Sequence, residues 1–461
     1  MSNTWEQLLN PKTFRPRSDI KLSDGRDPFE NDYGRLISSS AVRRLQDKTQ
    51  VFPLEKSDFI RTRLTHSLEV SSIGRSIGKS IEKYLIDNKK LDREKYGGQI
   101  SSLLSTVGLI HDIGNPPFGH FGEEAIQSFF TKYFEDGENT KGWNEQEMAD
   151  FKYFDGNVQS FRILKKLQFL VDEFSYNLTF PTLASIIKYP KSSIDGNKGK
   201  HSTNVADKKF GYFISETDDY NSLSSHLGLN GKRHPIAYLL EAADDIAYSA
   251  ADIEDGVKVG NISFDLIKEV FTRHLNKFDS EEGKLLNDLD LFYDQYKHLP
   301  HDRLDLTVQR FRISTQGFMI GAIIEEFIEN YDEIINGDYK YELLNESKAK
   351  NVRQSFKDLS VYVFQNRSIV ETEIAGWEVI TGLLNEFIEA AKSEKFKSSG
   401  NAKETRLYNL ISSSYRHIFE NFTTYDRNQQ YNKFQLVVDF VSGMTDSYAL
   451  NLFQKLKGIS I

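Results

Sequence analysis

No cysteine occurs in the 461 residues. That excludes disulfides and any thiolate metal site, so a bound ion would need His, Asp or Glu ligands. No stretch approaches the roughly eighteen uninterrupted apolar residues of a membrane span, and Met1-Ser2-Asn3-Thr4-Trp5 carries no apolar signal region. The expectation is a cytoplasmic protein with no membrane partner. Positive charge is not in excess either: 58 Lys and Arg stand against 67 Asp and Glu, a net charge of −9. Such a balance argues against a protein that coats nucleic acid, though not against a polyanionic substrate met by a local basic cluster. Strand-like alternation long enough for a sheet, internal repeats and low-complexity tracts are also absent. What the chain has in quantity is aromatic side chains, 33 Phe and 22 Tyr, most of them expected in a core. The length allows one large domain or two to three smaller ones.

The stretch that stands out is His111-Asp112-Ile113-Gly114-Asn115-Pro116-Pro117-Phe118-Gly119-His120-Phe121-Gly122-Glu123-Glu124. The apolar run Leu103, Leu104, Val107, Leu109 and Ile110 predicts a buried helix that ends at His111 and Asp112. Gly114, Pro116 and Pro117 then forbid further helix. Two imidazoles and two carboxylates are thus gathered at the mouth of one helix. Adjacent residues on a helix point about 100° apart, so His111 and Asp112 converge on an ion only if other helices supply the far side. Two segments are suited to that, Arg61 to Ser67 with His66, and Glu241 to Ile246 with the pair Asp244 and Asp245 in an Ala-rich helix. Charged residues are rarely buried without a partner or a metal. Arg61 and Arg63, so near His66, suit an anionic ligand better than a bare ion.

The rest of the chain predicts an all-α architecture. Residues 1–34 are expected to be a mostly irregular arm, followed by a helix within 32–50 that turns Leu36, Val42 and Leu45 inward. Arg43, Arg44 and Lys48 fit a solvated face or a basic cluster equally well. Arg61 to Leu85 is amphipathic, with Leu64, Leu68, Ile73, Ile77, Ile81 and Leu85 inward. A helix over Glu123 to Phe134 is followed by a polar loop or lid at 135–152, a helix from Asp155 to Leu170, and an irregular insert at about 172–232 holding a short helix from Leu183 to Lys188. Pro235 opens a helix to about Val257 that places Asp244, Tyr248 and Asp252 on one stripe, a poor core face and a better ligand face. Beyond it, helices are expected at about 262–275, 283–297, 303–336, 349–361, 375–393, 404–421 and 431–457. The division is an arm at 1–34, a functional core at 35–257 and a helical C-terminal region at 258–461.

The order H…HD…D is that of the HD phosphohydrolases, which this sequence resembles. Closer still, Arg43 to Phe52, Arg61 to Ser67, His111 to Glu123, Glu241 to Tyr248 and Val441-Ser442-Gly443-Met444-Thr445-Asp446 resemble the bacterial deoxyguanosinetriphosphate triphosphohydrolases. The resemblance implies a divalent metal on His66, His111, Asp112 and Asp244, Mn²⁺ or Mg²⁺ first, with Co²⁺, Ni²⁺, Fe²⁺ or Zn²⁺ as alternatives. It implies hydrolysis of dGTP or another dNTP to deoxynucleoside and intact tripolyphosphate, with His120 and Glu123 as catalytic pair. Gln50, Tyr248 and Asp252 match the deoxyribose contacts, Arg63, Asn157, Lys188 and Tyr189 the phosphate contacts, and Glu373 an acidic residue that reads guanine. It further implies a homohexamer and, as in some members, a single-stranded DNA or nucleotide effector.

Two departures stand out. Asp155 replaces the Glu usual in the family's loop, and the guanine-contacting Arg expected between 390 and 406 has only Lys395, Lys397 and Arg406 near it. Competing readings are an HD phosphohydrolase for another nucleotide and a nucleotide- or DNA-binding regulator. Two-metal phosphodiesterases need further His ligands between the HD pair and the last Asp, and His120, His201, His226 and His234 are not spaced for that. A mere binding module has no use for a general acid.

Overall fold

Long helices approach closely only where small residues line the seam, and the Arg63–Asp87 and Gln99–Ile110 helices have such a seam. A Cβ on Gly78 would lie 2.7 Å from Cα of Ser101, and one on Gly108 would lie 2.8 Å from Cα of Ser71. Glycine is therefore required where the two backbones touch. The computed structural model describes residues 4–15, 25–54, 57, 59–168, 170–199, 202–260 and 262–459. The Pro235–Lys258 helix packs on both helices of the seam, and Arg303–Glu329 and Lys350–Phe364 pack on it in turn. Gly119–Tyr133 lies against Arg367–Lys392, which also carries Gln429–Ser442 and Asp446–Leu456. Among the described residues there is no strand, only one isolated antiparallel bridge between Thr49 and Thr62. The fold is all-α, as the sequence predicts. No helix among the described residues is long and apolar enough to cross a membrane.

Several boundaries differ from the sequence pattern, each for a local reason. The arm is less irregular than expected: Trp5 and Leu8, in a short helix, are buried, and Trp5 Nε1 donates to the Tyr331 hydroxyl at 3.1 Å. Residues 1–3 and 16–24 of the arm, and His201, lie outside the described residues. In place of one helix within 32–50 there are Pro28–Ile37, Ser40–Arg44 and a tight turn Leu45–Asp47, because Asp27 and Ser39 each cap a new start. Leu36, Val42 and Leu45 are buried there as expected. Arg44 and Lys48 are no solvated face: Arg44 Nη1 donates to the Gly443 carbonyl at 2.9 Å, and the buried Lys48 donates to the carbonyls of Asn115 and Ser442.

Leu68 is exposed, not inward, since the buried face of its helix is the small-residue seam of Ser67, Ser71, Gly74 and Gly78. The stretch 135–152 is not simply a lid: Asn144 and Glu147 form a capping box that starts a helix, Glu145–Lys152. The helix expected from Asp155 to Leu170 is α only over Gly156–Arg162 and continues as a π turn, Ile163–Leu167. Within 172–232, the short helix is Phe180–Ser185, and Thr217–His226 adds another. Past 258, Arg367–Lys392 starts well before 375, and Lys403–Leu410 and Ser413–Asn421 divide one expected helix. The last expected helix breaks at Gly443-Met444, where Thr445 caps a fresh start by accepting the Tyr448 amide.

Candidate active site

Three helices deliver the first cluster. His66 sits in the opening turn of Arg63–Asp87, His111 and Asp112 follow the last turn of Gln99–Ile110, and Asp244 lies midway along Pro235–Lys258. His111 Nδ1 donates to the Gly108 carbonyl at 2.8 Å, one turn back, which turns Nε2 outward with its lone pair free. That Nε2 is buried without a hydrogen-bond partner, 3.3 Å from both Asp112 Oδ2 and Asp244 Oδ1. His66 Nε2 lies 3.1 Å from Asp244 Oδ1 and 3.9 Å from Asp112 Oδ2.

Ligand atoms about 2.1 Å from one ion stand about 3.0–3.4 Å apart at octahedral or tetrahedral angles. The His111–Asp112, His111–Asp244 and His66–Asp244 separations match that spacing, and His66–Asp112 is wider. His66, His111 and Asp112 form a group that could hold a divalent ion, with the Asp244 carboxylate beside both imidazoles. The charge balance agrees. Burial opposes a proton on His111, yet the carboxylates of Asp112 and Asp244 raise its pKa to about 10. A cation would take up that negative potential in the proton's place.

A second cluster lies at the start of Gly119–Tyr133. His120 Nδ1 is 3.2 Å from Glu123 Oε2, while Glu123 Oε1 accepts the Gly156 amide at 2.7 Å. A Cβ on Gly156 would come 2.0 Å from Asn115 Oδ1 and 2.9 Å from Glu123 Oε1, so a larger residue would displace both side chains from this arrangement. Glu123 is buried, and burial alone would raise its pKa. Its bond to His120 and the nearby Lys209 hold it at about 2, so it stays ionised. The hydrogen bond and charge of Glu123 in turn raise the pKa of His120 above its ordinary 6.5, against the opposing pull of Arg63 and Lys209. His120 thus keeps its proton to higher pH than a free imidazole does, and 87% of its side chain is exposed.

Cationic groups join the two clusters. Arg63 Nη1 pairs with Asp112 at 2.5 Å and its Nε donates to the Thr49 carbonyl at 2.9 Å. Lys188 Nζ lies 3.2 Å from Asp244 Oδ2, and the charge of Asp244 raises its pKa against burial. Tyr189, next in sequence, is pushed up to about 12 by burial and Glu241. Asn157 is held by Asp155, which accepts from both its amide and its side chain.

Of the residues expected at the sugar, Gln50 Oε1 is buried with no hydrogen-bond partner. Tyr248 is raised well above its usual range, first by Asp245 and then by burial. Burial and the neighbouring Asp255 push Asp252 up to about 8. Asp245, which the sequence pairs with Asp244, binds Arg353 Nε at 2.8 Å. Glu373 is not brought against the ion cluster. It lies one turn before Gly376, whose Cβ position would be 2.5 Å from the Phe118 ring, and its carboxyl is raised by partial burial and Glu124. Lys395, Lys397 and Arg406 are all exposed.

Three residues escaped the sequence reading. Lys209 reaches Asp155 and lies within electrostatic range of Glu123, His120 and Tyr189. Its signal was the run Lys208-Lys209-Phe210-Gly211, where Gly211 allows the backbone to pass Tyr189. Lys48 was visible only as one of several basic residues, and Arg353 had no signal.

Comparison with known proteins agrees with this arrangement. The HD domain family matches residues 63–154, and the phosphohydrolase-associated domain matches residues 346–455. A deoxyguanosinetriphosphate triphosphohydrolase-like protein of Listeria innocua is 40% identical over 99% of this chain and 100% of its own. One of the same description from Synechocystis is 33% identical over 99% and 100%. A deoxyguanosinetriphosphate triphosphohydrolase of Yersinia enterocolitica is 32% identical over 93% of each. With the HD residues assembled as a cluster and similarity running through nearly the whole chain, the protein belongs to the bacterial deoxyguanosinetriphosphate triphosphohydrolase family of HD-domain phosphohydrolases.

Proposed function

We propose that the chain hydrolyses deoxynucleoside triphosphates, dGTP for preference, to a deoxynucleoside and intact tripolyphosphate, and so acts on dNTP pools. The observation that carries this reading is an exposed His120 set 3.2 Å from the buried Glu123 carboxylate, near the cluster of His66, His111, Asp112 and Asp244 to which Arg63 is paired. A divalent ion on those four residues, Mn²⁺ or Mg²⁺ by preference, would activate water and polarise the α-phosphate.

The chain's own residues do the rest. The water oxygen bonds to the α-phosphorus as the bond from phosphorus to O5′ breaks, and the departing alkoxide needs a proton. His120 Nε2 supplies it, while Glu123 fixes the ring and keeps it charged until transfer. A proton lost by the attacking water replaces the one His120 has given. Arg63, Lys188 and Lys209, with Asn157 and Tyr189, offset and position the triphosphate.

Tyr248 stands one turn beyond Asp244, where a sugar would present its 2′ position, and leaves no room for a hydroxyl. Gln50 Oε1, lacking a donor, suits the 3′-hydroxyl, and Asp252 is the second candidate for it. Glu373 accepts from N1–H and the 2-amino group of guanine, donors that adenine lacks at those positions. A homohexamer, with a single-stranded DNA or nucleotide effector, completes the proposal and is open to sedimentation and to activity assays with added DNA. The experiment that tests the reaction is incubation with each of dGTP, dATP, dCTP, dTTP and GTP, resolving phosphorus products. Tripolyphosphate, fastest from dGTP and absent from GTP, is expected. Pyrophosphate or orthophosphate as first product would refute it, and equal rates on four bases would refute the guanine preference alone.

A further inference from the structure

We infer that Asp446, on the last helix of the chain, is a positioning residue that fixes the turn carrying His120. The inference rests on the reading of His120 as general acid. Its buried carboxylate reaches two catalytic segments at once. Oδ1 accepts the Phe118 amide at 3.0 Å, and Oδ2 accepts the Thr49 amide at 2.9 Å together with the Thr49 hydroxyl. Phe118 is two residues before His120 and has φ +63°, a left-handed backbone that a residue with a Cβ keeps only where its surroundings enforce it. Thr49 precedes Gln50, and its carbonyl receives Arg63 Nε at 2.9 Å, whose Nη1 holds Asp112.

Neighbouring residues repeat the pattern. Lys48 ties the Asn115 carbonyl, inside the catalytic turn, to that of Ser442 at 3.1 Å, and Arg44 holds the Gly443 carbonyl at 2.9 Å. The segment 442–446 therefore pins residues 44–50 and the turn at 115–118 to each other. An ionised carboxylate can accept all three bonds. A carboxamide cannot, because its NH₂ must face one of the two amides.

Asp446→Asn tests this in the metal-loaded full chain. We expect unchanged metal content, a KM for dGTP within a few-fold of wild type, and kcat lower by roughly 10²-fold, as for a small misplacement of a catalytic group. The decisive comparison is a double-mutant cycle with His120→Ala. If Asp446 acts through His120, the double variant is no slower than His120→Ala alone. An additional loss of similar size in the double variant, or wild-type kcat in Asp446→Asn, overturns the inference. Should Asp446→Asn not fold, Thr49→Val removes one donor to the carboxylate and enters the same cycle with a smaller loss, which Thr49→Ser should recover. Full activity in His120→Ala would instead overturn the general-acid reading and this inference with it, whereas additive losses overturn only the inference.

Discussion

His66 and His111 leave 1% and 2% of their side chains exposed and His120 87%, although each imidazole stands beside a carboxylate. The first two are held by packing: the glycine seam brings their helices into contact, and the Gly108 carbonyl sets the His111 ring. His120 is held by Glu123, which the Gly156 amide fixes in turn, and, in our inference, by the turn that Asp446 pins. The sealed end is, in the proposed function, a ligand set whose geometry the fold decides before anything binds. The open end is, in the proposed function, a proton donor whose surroundings a substrate completes. A mutation at one end should therefore leave the other largely intact.

The strongest way to break this division is at the sealed end. Asp112→Ala or His66→Ala should abolish both metal binding and turnover, with the helical body still folded by circular dichroism, since a core of this size does not depend on one ion. Next in size is the open end. His120→Ala should retain metal and nucleotide while kcat falls by roughly two to four orders of magnitude, and a substrate with a better leaving group than the 5′-alkoxide should suffer less.

The pH profile sharpens the contrast. The pKa of His120 is raised, chiefly by Glu123, so its acid form is complete at low pH and is lost as pH climbs through that raised value. The kcat profile should fall on its alkaline side. Glu123→Gln should move that limb to lower pH, and His120→Ala should remove it. The smallest effect belongs to the sugar: 2′,3′-dideoxy-GTP should be a poorer substrate than dGTP, because a site built to bind a hydroxyl penalises its absence. Gln50→Ala or Asp252→Ala should narrow that gap in steady-state kinetics.

How much of this was legible in the sequence follows the same division. The ligand set stands at helix ends marked by Gly, Pro and apolar runs, and Asp244 lies on a helix whose start Pro235 announces. These signals are local. Of the adjacent carboxylates, the helical stripe with Tyr248 and Asp252 singles out Asp244 and leaves Asp245 without a stated role. The packing of Lys350–Phe364 on their helix, which brings Arg353 to Asp245, gives Asp245 a partner that no sequence signal announces. Lys209 joins the site across an insert of uneven composition, and Lys48 works by bonds to carbonyls far away in sequence, which no periodicity encodes. The C-terminal helices were legible as helices but not in their breaks, because Gly443-Met444-Thr445 ends one helix and caps the next within three residues.

The account rests on the two ends being separable, and metal content measured beside turnover of dGTP in Asp112→Ala and His120→Ala tests that most directly. It predicts an Asp112→Ala protein without metal and without activity, and a His120→Ala protein with the wild-type metal content and turnover lowered by roughly two to four orders of magnitude. Full metal content and normal turnover in Asp112→Ala, or loss of metal in His120→Ala, would contradict it.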